Sequence, residues 1–125
     1  MEIHMPTLKT PMFVIAVNDL ARSADYYHRV LGFTVREIGD DGWRIFQQGD
    51  VRIMAGHCAD ATPASELGDH SYFAYINVDG IDDYFAQVKT NGARLIKPLR
   101  DEPWRMREFG VMTVDGHRIM FGVEI

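Results

Sequence analysis

Between residues 107 and 122, hydrophobic positions alternate with polar or small ones in two runs that meet at Val114-Asp115-Gly116. Period-two alternation of this kind marks two β-strands, each with one face to bury. A three-residue loop with Gly116 at the position requiring positive φ pairs Thr113 with His117, Val111 with Ile119 and Phe109 with Phe121. A two-residue loop would oppose Val111 to Met120 and Phe109 to Gly122, mixing the two patterns, so the three-residue loop with a bulge is preferred. Phe109, Val111, Ile119 and Phe121 then share a face suited to burial under a helix. Glu108, Gly110, Met112, Arg118, Met120 and Gly122 share the other, which suits a binding surface.

The same pattern organises the rest of the chain. Residues 12–17 form an apolar run rich in β-branched side chains, and Asp19 is a good N-cap for a helix beginning at Leu20. Leu20, Ala24, Tyr27 and Leu31 recur on one helical face, and Gly32 stands where a helix would stop. Residues 33–38, 43–48 and 51–55 read as short strands separated by the turn sequences 39–42 and 49–50. Residues 57–70, with Pro63, Ser65 and Gly68, read as a linker or surface loop. A second strand (72–78), a helical stripe at Ile81, Tyr84, Phe85 and Val88, a stop at Asn91-Gly92 and strands near 93–96, 105–113 and 117–123 repeat the order.

The chain is therefore an internal duplication, seen most directly in Arg52-Ile53-Met54 against Arg118-Ile119-Met120. In this reading Trp43-Arg44-Ile45-Phe46 is set against Phe109-Gly110-Val111-Met112. The predicted fold is α+β: two tandem βαβββ modules forming a curved, mainly antiparallel sheet with helices outside and a concave ligand cup. A single domain over 1–125 is expected, with modules at 11–56 and 71–124. Alternation assigns Phe13, Ile15, Val17, Trp43, Ile45, Ile53, Ala74, Ile76 and Val78 to the helix side. Met12, Val14, Ala16, Arg44, Phe46, Arg52, Met54, Phe73, Tyr75 and Asn77 fall on the cup side.

Composition narrows the function. With 125 residues, 46% of them hydrophobic, the chain can bury a core without disulfides or metals. Thirteen basic against 18 acidic residues, with no basic block, argue against nucleic acid or an anionic membrane surface as partner. The lone Cys58 fits a reducing cytoplasm, no apolar run approaches the roughly 18 residues of a spanning helix, and the first six residues lack a signal-peptide core. A cytoplasmic, non-membrane protein is expected, and nothing is built on His4.

Val17-Asn18-Asp19-Leu20 leading through Tyr26-Tyr27 to Val30-Leu31-Gly32-Phe33, Val78-Asp79-Gly80-Ile81, and Pro103-Trp104-Arg105-Met106-Arg107-Glu108-Phe109 with Val114-Asp115-Gly116 carry a resemblance. Over nearly its whole length the chain resembles the vicinal-oxygen-chelate superfamily of glyoxalase I, extradiol dioxygenases and bleomycin-resistance proteins, and the last motif is most similar to the bleomycin-resistance type. The resemblance implies four cup-facing metal-ligand positions, which fall on Met12, Met54, Phe73 and Met120, with Tyr72 the alternative to Phe73. None offers the imidazole or carboxylate that a divalent metal of this superfamily needs. No metal and no cofactor are therefore expected.

Met12, Phe46, Met54, Phe73, Met112 and Met120 are expected to supply apolar area for a ligand, and Tyr75, Trp104, Glu108 and Arg118 to orient it. Glu108 is expected to pair with Arg118 or Arg107, and it is the one weak candidate for a catalytic base. His57, Cys58, Asp60 and His70 match no metal-site spacing, and Cys58 has no evident basic activator. The expected function is non-enzymatic binding or sequestration of a hydrophobic or aromatic small molecule, in the manner the resemblance implies for antibiotic resistance. A bulky cationic glycopeptide such as bleomycin suits an apolar cup less well than a flatter, less charged compound. The alternative is a lyase, isomerase or oxygenase with an atypical metal site or none. A homodimer with two cups is expected, since chains of this length in the superfamily commonly exchange modules across a dimer.

Overall fold

The computed structural model describes residues 5–68 and 71–125, so His4 and His70 lie outside the described residues. In chain order the elements are β1 (Phe13–Val17), α1 (Leu20–Arg29), β2 (Thr34–Glu37), β3 (Trp43–Gln48) and β4 (Val51–His57), a 3-10 turn (Ala64–Glu66), then β5 (Tyr72–Asn77), α2 (Ile81–Thr90), β6 (Arg94–Asp101), β7 (Met106–Met112) and β8 (Arg118–Glu124). They build two four-stranded sheets with the same connectivity, ordered β1-β4-β3-β2 and β5-β8-β7-β6. The pairs β1–β4 and β5–β8 are parallel and the other four antiparallel. This is the α+β, twice-repeated βαβββ architecture.

Local chemistry sets the boundaries. The Asp19 carboxylate accepts a hydrogen bond from the Arg22 backbone N–H at 3.1 Å, satisfying one of the orphan donors of α1. At the last hairpin the Thr113 N–H donates to the His117 carbonyl at 2.8 Å, and Val111 and Phe109 face Ile119 and Phe121. Gly116 has φ of 85°, and a Cβ there would stand 2.6 Å from the Ser65 nitrogen, so the turn needs glycine twice over.

The two sheets share one core on their helix sides. Ile15, Val17, Tyr27, Leu31, Phe33 and Ile53 belong to the same buried cluster as Ile76, Tyr84, Phe109, Val111, Ile119 and Phe121. The Tyr84 hydroxyl donates to the Leu31 carbonyl at 2.7 Å, tying α2 to the end of α1. Burial raises the Tyr84 pKa well above that of a free phenol, so this donor stays protonated. The opposite face of each sheet turns away from the core.

Three expectations from alternation need correction. Phe46 is not a cup residue: it pairs with Ile53, is fully buried and stacks on Tyr27 with ring centroids 4.5 Å apart. The tight Gly49-Asp50 turn opposes Gln48 to Val51, which sends Trp43 and Ile45 to the outward face with Met54, while Arg44 takes the other side opposite Ala55. The run Trp43 to Phe46 has apolar residues in both phases, so alternation alone could not decide. The repeat alignment shifts with it, and Trp43, opposite Gly56, becomes the counterpart of Glu108, opposite Gly122.

The second correction is Phe73. A bulge between Tyr72 and Ala74 places Tyr72 opposite Arg118 and frees Phe73 to pack edge-on against Phe13 and His117, at 5.9 and 5.6 Å. The third is β6, which runs through Pro98 to Asp101 rather than ending at 96. It is an edge strand, so the missing proline N–H leaves no neighbour unpaired. The loop after β4 also carries more structure than a linker, with Ala64 buried in its 3-10 turn.

Candidate functional site

The outward face of the second sheet carries a connected polar group. Glu108 is only 3% exposed there, and both of its oxygens are engaged. Oε2 accepts from the Tyr75 hydroxyl at 2.7 Å, and Oε1 from the Lys97 ammonium at 2.5 Å. Lys97 also lies 3.1 Å from Glu102 and 5.3 Å from the centre of the Trp104 ring, and Arg100 donates to Glu102 from outside. Trp104 itself is 59% exposed.

Glycines make room for this arrangement. A Cβ on Gly122 would stand 1.9 Å from the Tyr75 oxygen, so the phenol lies across the strand where a side chain would be. At Gly110 a Cβ would meet the Tyr72 hydroxyl at 3.4 Å. Burial alone would raise the Glu108 carboxyl, but the hydrogen bonds from Lys97 and Tyr75, together with the lysine charge, outweigh it and hold the pKa below the ordinary value. Tyr75 shifts upward, through burial and through its bond to Glu108. The site thus holds an ionised carboxylate and a protonated phenol at neutral pH.

The expected partners of Glu108 are not the observed ones. Arg107 binds Asp101 at 2.6 Å and Asp82 at 3.2 Å, because the next residue along a strand points to the opposite face. Arg118 shares the face but stands opposite Met112, four residues and roughly 13 Å along β7 from Glu108. It donates to the Gly68 carbonyl. Lys97 and Glu102 escape the sequence reading because a strand ended at 96 excludes both, while the bulge selects Tyr72, the alternative to Phe73, as the residue opposite Arg118.

Of the candidate residues, Tyr75, Trp104, Glu108 and Met120 come together around Lys97, with Tyr75 directly opposite Met120. Met112 and Arg118 lie at the other end of that face. Met12 immediately precedes β1, and Met54 lies on β4, where Val14 opposes it; Val14, 62% exposed, lies beside a shallow hollow of about 320 Å³ that Trp43, Gly56 and Cys58 also line. The Trp43 ring covers Gly56, whose Cβ would stand 2.8 Å from it.

The four positions implied for a metal carry Met12, Met54, Met120 and, on the register, Tyr72 in place of Phe73. Three thioethers and a phenol do not fit a divalent ion that needs imidazole or carboxylate. Among the described residues, no three His, Cys, Asp or Glu side chains gather as a metal site elsewhere.

A duplicated βαβββ scaffold with a buried polar network on a sheet face away from the helices defines a class. The chain belongs to the Glyoxalase/Bleomycin resistance protein/Dioxygenase superfamily, whose family model matches residues 9–121. Among curated proteins it is 29% identical over 126 residues to the bleomycin resistance protein of Geobacillus stearothermophilus, covering 89% of this chain and 93% of that one. The bleomycin resistance protein of Staphylococcus aureus matches to the same extent. Among solved structures, a bleomycin-binding protein complexed with bleomycin superposes with a TM-score of 0.76 at 19% identity, over 94% of this chain and 100% of that one. TioX from Micromonospora sp. ML1 gives 0.71 at 24% identity, over 92% and 99%. These two structures share the fold. No helix among the described residues is long and apolar enough to cross a membrane.

Proposed function

We propose that the protein binds a planar aromatic small molecule on its outward sheet faces and holds it without chemical change. The observation that carries this reading is the Glu108 network beside the exposed Trp104: a fixed, ionised acceptor next to a stacking surface. The first sheet contributes Val14, Trp43 and Met54, which supply area without direction. Glu108 is a poor general base, since its two partners stabilise the ionised form that would have to take up a proton. The proposed ligand is flat and carries a cationic or N–H group for Glu108, with less bulk and charge than bleomycin.

The proposal includes a homodimer. Val14, Trp43, Tyr75 and Trp104 leave both outward faces exposed in one chain, and the first sheet of one copy set against the second sheet of another would give two cups. Light scattering at micromolar concentration should return twice the monomer mass, and a monomer would contradict this arrangement.

The test of function is a panel of planar aromatic compounds with bleomycin included, read by tryptophan fluorescence and followed by mass spectrometry of the recovered ligand. Binding with the compound returned unchanged is the expected result. Conversion of the compound, or no binder in the panel, would count against the reading.

A further inference from the structure

Where α1 approaches the β7–β8 turn, a polar cleft of about 240 Å³ opens between the two repeats, away from Glu108 and Trp104. Asp115 lies in its wall with its side chain only 5% exposed. Oδ2 accepts from the Ser23 hydroxyl at 2.6 Å. Oδ1 is buried and has no hydrogen-bond donor among the described residues. The nearest cation, Nη2 of Arg22, stands 3.7 Å from it, close enough for charge attraction but beyond a hydrogen bond. A buried carboxylate oxygen lacking a donor is destabilising, and native structures normally satisfy such a group with protein, water or ligand.

Arg94 lines the same cleft from β6, where its backbone pairs with Met112, and its side chain makes no hydrogen bond or ion pair among the described residues. Two guanidinium groups against one carboxylate leave the cleft one positive charge in excess. A guest that fits both features carries a negative charge for the arginines and a donor for Oδ1.

We propose that this cleft binds a small carboxylate that also bears a hydroxyl or ammonium group, the donor meeting Asp115 Oδ1 and the carboxylate meeting Arg22 and Arg94. The cleft lies apart from the Glu108–Trp104 group and meets the outward face of the second sheet only at Met112. Its size suits a compound of a few carbons.

The test is an amide NMR titration of the full chain with glycolate and glycine, using acetate as the comparison that lacks a donor. Either donor-bearing compound should shift the amides of Asn18, Ser65 and Gly116 and bind roughly tenfold more tightly than acetate, the scale of one charge-assisted hydrogen bond. Arg94→Gln, at an exposed position, should weaken all binding carboxylates roughly tenfold. Asp115→Asn keeps an acceptor for Ser23 and should erase the preference over acetate. If that variant does not fold, the acetate comparison and Arg94→Gln decide. Absence of shifts, equal binding of acetate, or shifts confined to Tyr75 and Glu108 would overturn the proposal.

Discussion

The two sheets are copies in connectivity, yet their outward faces carry different chemistry. Register makes Val14 the counterpart of Tyr75, Trp43 of Glu108 and Ile45 of Gly110, with Met54 matching Met120 and Gly56 matching Gly122. In the first sheet the shared glycine is covered by Trp43, reaching over from β3; in the second it is covered by Tyr75, reaching from β5. One face centres on Val14, Trp43, Ile45 and Met54, with Arg36 and Arg52 farther along it, whereas the other holds a carboxylate between a phenol and an ammonium. The scaffold decides where side chains stand, and the residues placed there decide whether a face supplies area or direction.

The largest expected effect separates the inward face from the outward one within a single sheet. Phe46→Ala should lose about 3–5 kcal/mol in urea unfolding through cavity formation, while Met54→Ala should lose about 1 kcal/mol or less. Equal losses would mean the register of β3 is wrong.

Next in size is the polar anchor of the second face. Lys97→Met should destabilise by about 1–3 kcal/mol, because it leaves Glu108 short of a donor. The folded pKa of Glu108 lies below its unfolded value, so its stabilisation is complete above the ordinary carboxyl range, about 4.3, and is lost as pH falls through the folded value. The gap between wild type and Lys97→Met should therefore close on acidification. A gap that stays constant to low pH would show that the lysine acts by packing alone.

The glycine counterparts come third. Gly122→Ala must displace the Tyr75 hydroxyl from Glu108 and should lose about 1–2 kcal/mol, whereas Gly56→Ala only pushes the half-exposed Trp43 ring outward and should lose less than about 1 kcal/mol. Only the first change should alter the Tyr75 phenol titration. The smallest effect is at His117, whose pKa is lowered by burial. Unfolding binds a proton there below about 6.5, so stability should fall as pH drops from that value toward the folded pKa, and His117→Gln should flatten the slope.

Much of this was legible in the sequence where a turn and an alternation agreed. The last hairpin is the best case, since Asp115-Gly116 and two clean apolar stripes admit one register. The helix starts at Leu20 and Ile81 were legible for the same reason, a stop or cap beside a periodic stripe. The face of β3 was not, because Trp43, Ile45 and Phe46 are apolar in both phases and only pairing across Gly49-Asp50 selects one. Lys97 was hidden by Pro98, which reads as a strand end unless the strand is known to be at an edge. The bulge at Tyr72 leaves no trace in a single chain, since it depends on how β5 meets β8. Glu108 and Trp104 were found as site candidates because polar and aromatic residues on an otherwise small and apolar face stand out, but their partner could not be named without the third dimension.

The division of labour between the faces is tested most directly by calorimetry of one donor-bearing planar aromatic ligand and its donor-free analogue against wild type, Glu108→Gln and Trp43→Ala. Glu108→Gln should weaken the donor-bearing ligand by about 1.5–3 kcal/mol and leave the analogue unchanged, while Trp43→Ala should weaken both equally. Equal sensitivity of the two ligands to Glu108→Gln, or indifference to both substitutions, would contradict the account.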